Sequence, residues 1–411
     1  MFWKRNLHMN KKKLAIISTG FMPVPAVKGG AIEQLIEYFI DGNELEHKYD
    51  IDLYTVNDKL LNDKKYNYTN LIKIDNKQNK WIWHFIYGVK NKFSAFLRRE
   101  KTYSYVRDRI VKKYKRNYYD VILVENNMDL YKELYPKLTH EKIYFHLHNN
   151  VDCGDKAKTK KKTSFILNTA DEIWVVSNFL RKRLLRIDSN KKTDIKVVYN
   201  GIISDDFKQL NEVERKKVRN KLGIKDTKIV FTFVGRLCND KGIDKFIQAM
   251  QLLKNRKDIE YIVVGNNFFG TSSEDTYIKK LKKLAKGLEN KIHFTGYIDN
   301  KKLYKIYSVS DVVVIPTQVE ETFSVVALEA MTMGLPVIAS VSGGLQEVLS
   351  SKCSLSVKRD GDFVKKLSDA ILLLSINSQL RGQLGIEGKK RSKVFPNSEK
   401  EYFYLLSSKI N

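Results

Sequence analysis

The chain has 411 residues, long for one core, so two domains are expected, and 43% of its residues are hydrophobic, enough for packed interiors. A formal charge of +27 suits nucleic acid, an anionic membrane surface or an acidic small substrate, unless the lysines only solvate the surface. No apolar run reaches the roughly 18 residues of a spanning helix, and Cys153, Cys238 and Cys353 are too scattered for a metal or redox pair, which makes a reducing cytoplasm the simplest setting.

The opening MFWKRNLHMNKKK is too polar for a secretory signal, and Met9, close before Lys11, Lys12 and Lys13, is the expected translation start. An apolar strand over residues 14–18 leads through the loop TGFMPVPAVKGG into a helix from Ala31 to about Ile40. Further strands are expected at 51–56, 121–124, 143–148, 173–176 and 195–199. After Asn200 and Gly201 the composition turns polar and charged, and a second series begins. It holds strands at 229–234, 261–264, 292–295, 312–315, 337–339 and 355–357, with helices at 243–253, 277–287 and 303–309 between them. Helices at 363–374 and 400–410 close the chain. Strands alternating with helices imply right-handed crossovers and parallel sheets covered on both faces. The fold class expected is therefore α/β, with two doubly wound Rossmann-like domains facing a cleft and the ligand at the carboxyl ends of the strands.

One region breaks the alternation. Residues 81–119 interleave aromatics with Lys90, Lys92, Arg98, Arg99, Arg107, Arg109, Lys112, Lys113, Lys115 and Arg116. A basic amphipathic helix of this kind lies in an anionic membrane surface, or else packs its aromatics as core and solvates its cations. The tract DKAKTKKKT at 155–163 either extends a basic rim or forms a mobile loop.

The candidate chemistry collects at strand ends. Gly29 and Gly30, between a strand and a helix, let backbone amides approach a phosphate. Arg236 and Lys241 follow another strand end and form a suitable pair for a diphosphate. The stretch 311–347 reads strand, polar loop, helix, strand, glycine turn, with Thr322 or Ser324 as the helix cap. The amides of Phe323, Ser324 and Val325 offer an anion site at that helix start. Glu321 beside it has the charge to bind hydroxyls, and Glu329, an acid in an apolar helix, suits a ribose diol. These residues together describe a cradle for a nucleotide sugar. Asp50 and Asp52 have metal-binding spacing but enter an apolar strand, so they are read as structural. His146 and His148 share a strand face but lack a third zinc ligand nearby in sequence. Glu125, Asn126 and Asn127 end a strand and either meet an acceptor or cap a helix.

The segments VGRLCNDKGID, HFTGYIDNKKLYKIYSVSDVVVIPT, EETFSVVALEAMTMGLPVIAS and SGGLQEV resemble the family four glycosyltransferases of the GT-B fold, as enzymes of bacterial surface-polysaccharide synthesis do. The resemblance spans nearly the whole chain, more weakly from Trp81 to Lys162. It implies a retaining transfer from a nucleotide diphosphate sugar, foremost a UDP-sugar, to a hydroxyl of a glycan or lipid-linked acceptor, with no cofactor and no required metal. By that likeness Arg236 and Lys241 bind the donor phosphates, Glu321 the donor-sugar hydroxyls and Glu329 the ribose. His148 matches the first-domain histidine beside the reacting centre, and Gly29 and Gly30 match the phosphate-side loop. Ser324 stands where the family has glycine. The expected division is an acceptor-side domain over 1–203, a donor-binding domain over 204–390 and a C-terminal helix, 391–411, returning to the first domain. Capsule or exopolysaccharide assembly at the inner membrane face is the setting the resemblance implies. The rival readings are a sugar-nucleotide epimerase of the same fold and a basic nucleic-acid-binding protein, the latter opposed by the lack of any nucleic-acid module.

Overall fold

The computed structural model describes residues 11–76, 81–96, 103–152, 154–189, 192–266 and 276–410, with side chains left out at 93–96. Met9, Arg98, Arg99 and Cys153 lie outside the described residues.

The chain divides into two compact units. The first ends at Val198 and takes in the C-terminal segment from Glu399. Its strands are β1 (Lys12–Ile17), β2 (Tyr49–Val56), β3 (Thr69–Ile74), β4 (Val121–Glu125), β5 (Lys142–Leu147), β6 (Glu172–Val175) and β7 (Asp194–Val197). They form one parallel sheet in the order β3-β2-β1-β4-β5-β6-β7. Leu14, Ala15, Ile16 and Ile17 of β1 are wholly buried, as a central strand with helices on both faces requires. The helix after β1 runs over Ala31–Glu46, longer than its expected end at Ile40, and stops where His47 turns left-handed. Its apolar face receives the C-terminal helix Glu399–Ser407, with Phe403 and Phe39 ring centroids 5.2 Å apart. Strand β3 was not expected: as the last strand of the sheet it is only partly covered, and TNLIKI lacks a continuous apolar run. Residues 156–169 form a helix, which replaces the loop reading of the lysine tract.

The second unit runs over Tyr199–Ser398. Strands β8 (Ile229–Val234), β9 (Ile259–Val264), β10 (Ile292–Gly296), β11 (Val312–Ile315), β12 (Val337–Ser340) and β13 (Ser354–Val357) form a parallel sheet in the order β10-β9-β8-β11-β12-β13. Phe231, Phe233, Ile247, Tyr261, Val263, Val312, Leu367 and Ile371 pack in its core. The helix Ser378–Ser392, absent from the sequence reading, packs across the turn at Gly334: a Cβ on Gly385 would lie 2.2 Å from the Gly334 carbonyl oxygen.

Both orders reverse direction once, between β1 and β4 in the first sheet and between β8 and β11 in the second. In an open parallel sheet the crevice outside the carboxyl ends at such a reversal is where ligands bind. Gly29, Gly30, Arg236, Lys241 and Glu321 fall in the loops at these two points.

Candidate active site

In the second unit three loops are tied together at the β8–β11 reversal. The β11 loop hangs on the β8 loop, since Thr317 Oγ1 and the Gln318 amide both donate to the Asp240 carbonyl, at 3.0 and 2.7 Å. Gly242 makes this possible: its φ is 68°, and any Cβ there would sit 1.9 Å from the Pro316 carbonyl oxygen. The β11 loop is in turn bound to the β12 loop. The Glu321 amide donates to Ser342 Oγ at 2.8 Å, and the Gly344 amide donates to the Glu321 carbonyl at 2.7 Å.

These ties put Lys241 Nζ 2.7 Å from Glu321 Oε1, so a cation from one loop and an acid from the next form a half-buried ion pair. Ser324, not Thr322, caps the helix Val325–Thr332, its hydroxyl accepting from the Ala327 amide at 3.3 Å. The φ of Ser324 is −142°, ordinary extended backbone, so serine takes the glycine position of the family without strain. The amides of Phe323, Ser324 and Val325 surround that cap at the positive end of the helix. Phe323 is anchored against Phe395, ring centroids 5.7 Å apart. Arg236 is exposed and makes no side-chain hydrogen bond among the described residues. Glu329 lies deeper than expected. Tyr307 donates its hydroxyl to Glu329 Oε2 at 2.6 Å, and burial pushes the carboxyl up to about 7 against the pull of that bond.

In the first unit the residues gather at the β1–β4 reversal. Gly29 and Gly30 both have positive φ, 79° and 101°. The amide end they open is not bare. Glu33, in the first turn of the following helix, folds back so that its Oε2 lies 2.3 Å from where a Gly30 Cβ would be. Thr19 Oγ1 donates to Glu33 Oε1 at 2.8 Å. Burial raises the Glu33 carboxyl, the Thr19 bond opposes this, and the charge of Glu125 adds to it. A phosphate at this turn meets an acid already in place.

His148 follows β5, and His146 stands two residues earlier on the same face. Glu125, at the end of β4, is in register with His146 and supplies the third group that the sequence spacing did not show. One donor atom from each of the three lies within 4.8 Å of the others. Asn127 caps the helix Met128–Leu134. Glu33 and Tyr307 are polar residues that sequence reasoning missed, and Glu125 was named there without its histidine partners. Glu33 did leave a trace, as an acid three residues after a glycine pair. Tyr307 left none, because its partner lies 22 residues away on another element.

Residues 214–391 match the family profile of the group 1 glycosyl transferases. A Bacillus subtilis (strain 168) protein named as a glycosyltransferase, YtcC, is 28% identical over 349 residues, 82% of this chain and 77% of its own. The lipopolysaccharide 1,2-N-acetylglucosaminetransferase of Salmonella typhimurium (strain LT2) is 28% identical over 229 residues, 55% of this chain and 56% of its own. Among solved structures, Anabaena Alr3699/HepE in complex with UDP-glucose superposes with a TM-score of 0.73 at 18% identity, covering 97% of this chain and 99% of that one. The fold is thus the two-domain α/β GT-B type. Over residues 214–391 the chain thus resembles the group 1 glycosyl transferases, and it is similar to proteins named as glycosyltransferases.

Proposed function

We propose that the enzyme transfers a sugar from a nucleotide diphosphate sugar, a UDP-sugar foremost, to a hydroxyl of a glycan or lipid-linked acceptor. The observation that carries this is the tying of Lys241, Glu321 and the Phe323–Val325 amides into one cluster at the reversal of the second sheet. A cation and helix-end amides suit a diphosphate, and a carboxylate among them suits hydroxyls and repels phosphate. In support, the solved HepE complexes hold UDP and UDP-glucose. A Corynebacterium glutamicum relative over part of the chain is named as GDP-mannose-dependent, which keeps the base open.

In the reaction proposed, the bond from the sugar C1 to the diphosphate oxygen breaks and the acceptor oxygen bonds to C1 on the same face. The acceptor proton passes to a donor phosphate oxygen, and the configuration is retained. Lys241 leaves Glu321 for the phosphates, joined by Arg236 and the amides, and holds the charge that develops there. Freed of the lysine, Glu321 binds sugar hydroxyls, Glu329 the ribose, and His148 acts beside the donor sugar. The residues themselves supply the positive charge, so the scheme needs no metal or cofactor. An epimerase needs no acceptor; product analysis with and without one separates the two readings.

The setting proposed is surface-polysaccharide synthesis, capsule or exopolysaccharide, with the enzyme peripheral at the inner membrane face. Among the described residues no helix is long and apolar enough to cross a membrane. The helix Trp81–Phe96 instead exposes Trp81, Ile82, Phe85 and Val89, spaced along one face, with Lys90 and Lys92 close by. That arrangement suits an anionic lipid surface. Not every cation in 81–119 is available for it. Arg107 is buried against Asp129 at 2.8 Å, and Lys115 pairs with Asp52 at 2.8 Å.

The test is a thermal-shift screen against UDP-, GDP- and TDP-sugars. One of them raises the melting temperature if this reading holds, since a ligand of the native state stabilises it. Loss of that response in Lys241→Ala then assigns the binding to this cluster.

A further inference from the structure

Asp50 and Asp52 lie two residues apart on β2, so they face the same side of the first sheet. Register sets Lys13 of β1 beside Asp50, and Asn70 of β3 beside Asp52. These are the amino ends of the strands, the length of a strand away from the loops at the β1–β4 reversal. Lys115 and Tyr118, in the segment leading into β4, close the side of an open recess of about 730 Å³, within the range of ligand pockets.

The floor of this recess is built. Asp52 is buried, and its carboxylate accepts from Lys115 Nζ at 2.8 Å, the Tyr119 hydroxyl at 2.7 Å and Asn70 Nδ2 at 2.7 Å. Burial pushes the Asp52 carboxyl up, but the three bonds together outweigh burial and hold it low. Tyr119 meets Tyr118 edge-on, ring centroids 5.0 Å apart, and so braces a ring that is 43% exposed. Lys13 and Lys115 both lie over the Tyr118 ring, Nζ to centroid 4.2 and 4.7 Å.

The charge at the recess is not balanced. Of its five lysines, Lys64 pairs with Glu37 at 3.4 Å, Lys73 donates to the Leu61 carbonyl at 3.0 Å, and Lys115 is held by Asp52. Lys13 and Lys65 make no side-chain hydrogen bond or ion pair among the described residues. Asp50 is exposed and keeps acceptor capacity, since His47 Nε2 reaches its Oδ1 only at 3.4 Å.

We propose that this recess is a second carbohydrate site that takes an acidic saccharide, with uronate carboxylates on Lys13 and Lys65, hydroxyls on Asp50 and Asn70, and a sugar ring on Tyr118. The binding is independent of the donor reading above. Only its use, keeping hold of a chain that the enzyme extends, rests on that reading.

The mixture of groups decides the ligand class. A phosphate backbone would meet Asp50 as a like charge. An anionic lipid surface would find no exposed aliphatic side chain in the lining to enter it. A neutral saccharide would leave the two lysines unmatched. A uronate chain uses the cations, the acid and the ring at once.

The experiment titrates the full chain calorimetrically with trigalacturonate, at about 50 and about 300 mM NaCl. Saturable binding is expected, at least about fivefold weaker at the higher salt, as for contacts between exposed charges. Maltotriose, with as many rings and no carboxylate, should bind at least about fivefold more weakly. The double change Lys13→Ala and Tyr118→Ala should weaken trigalacturonate at least about tenfold and leave UDP-glucose affinity unchanged. Lys13→Gln with Lys65→Gln touches no packed ring, and should remove most of the salt dependence in a protein of unchanged melting temperature. No binding of trigalacturonate to wild type overturns the proposal. So does equal affinity in both folded variants, maltotriose bound as tightly, or tighter binding of random duplex DNA or phosphatidylglycerol vesicles that the same variants lose. If UDP-glucose does not bind wild type, the donor reading fails by itself, and the saccharide titrations still decide this one.

Discussion

Glu329 is a fully buried acid held by a single hydroxyl, and its proton has consequences in two directions. Between the usual 4.5 and about 7 the folded chain keeps a proton that the unfolded chain has lost. Its contribution to stability is therefore present below 4.5 and gone above about 7, a difference on the order of 3 kcal/mol. Glu329→Gln should gain in melting temperature relative to wild type as pH rises across that window, read by calorimetry at several pH values. Hydroxyls donated by a ribose favour the carboxylate, so donor affinity should rise with pH over the same range. Tyr307→Phe removes the bond that lowers this carboxyl and should move that rise to higher pH, measured as donor Kd against pH. At Lys241 the expected loss is in rate: Lys241→Ala should cut kcat about 100- to 1000-fold, the usual scale for removing one preorganised charge donor. At this scale the sequence was legible where a side chain acts on its own helix start, as at the Ser324 cap. It was silent where the partner comes from another strand or helix, as at Glu125 and Tyr307, because pairing across a parallel sheet leaves no mark in local spacing.

Elements follow the same division. Strands β8 and β11 stand where the apolar runs put them, because central parallel strands are buried on both faces and read as unbroken hydrophobic stretches. Strand β3, at the sheet edge, and the helix Ser378–Ser392, which carries Gly382, Gly385 and Gly388, were missed for the opposite reason. Glycine is a poor helix former, and here close packing against Gly334 and Met331 overrides propensity. The β8 loop offers a test of the loop scaffold. Gly242→Ala would push against the Pro316 carbonyl from a left-handed backbone position, and should lower both stability, by about 1–3 kcal/mol, and donor affinity. Denaturant melts and donor titration of the same variant check both. For the helix Trp81–Phe96, the double change Trp81→Ser and Phe85→Ser alters only exposed side chains. It should abolish co-flotation with anionic vesicles while leaving the melting temperature within a degree or so, as surface changes do.

Over the whole molecule the +27 charge is not one feature. Some cations are structural, such as Arg219, wholly buried and donating to the carbonyls of Val309, Lys225 and Lys228. Others, such as Lys241, pair with an acid on a neighbouring strand-end loop. The doubly wound plan of each unit was legible from strand rhythm alone, and the reversals of strand order followed only once the sheets were seen. Calorimetric titration of wild type and Lys241→Ala with UDP, UDP-glucose and GDP-mannose tests whether the second unit binds a nucleotide diphosphate sugar at its β8–β11 reversal. The expected result is saturable binding of at least one of them to wild type, weakened at least about tenfold in Lys241→Ala, as for a lost charged contact. Equal affinity in the folded variant, or no binding of any of the three to wild type, would contradict it.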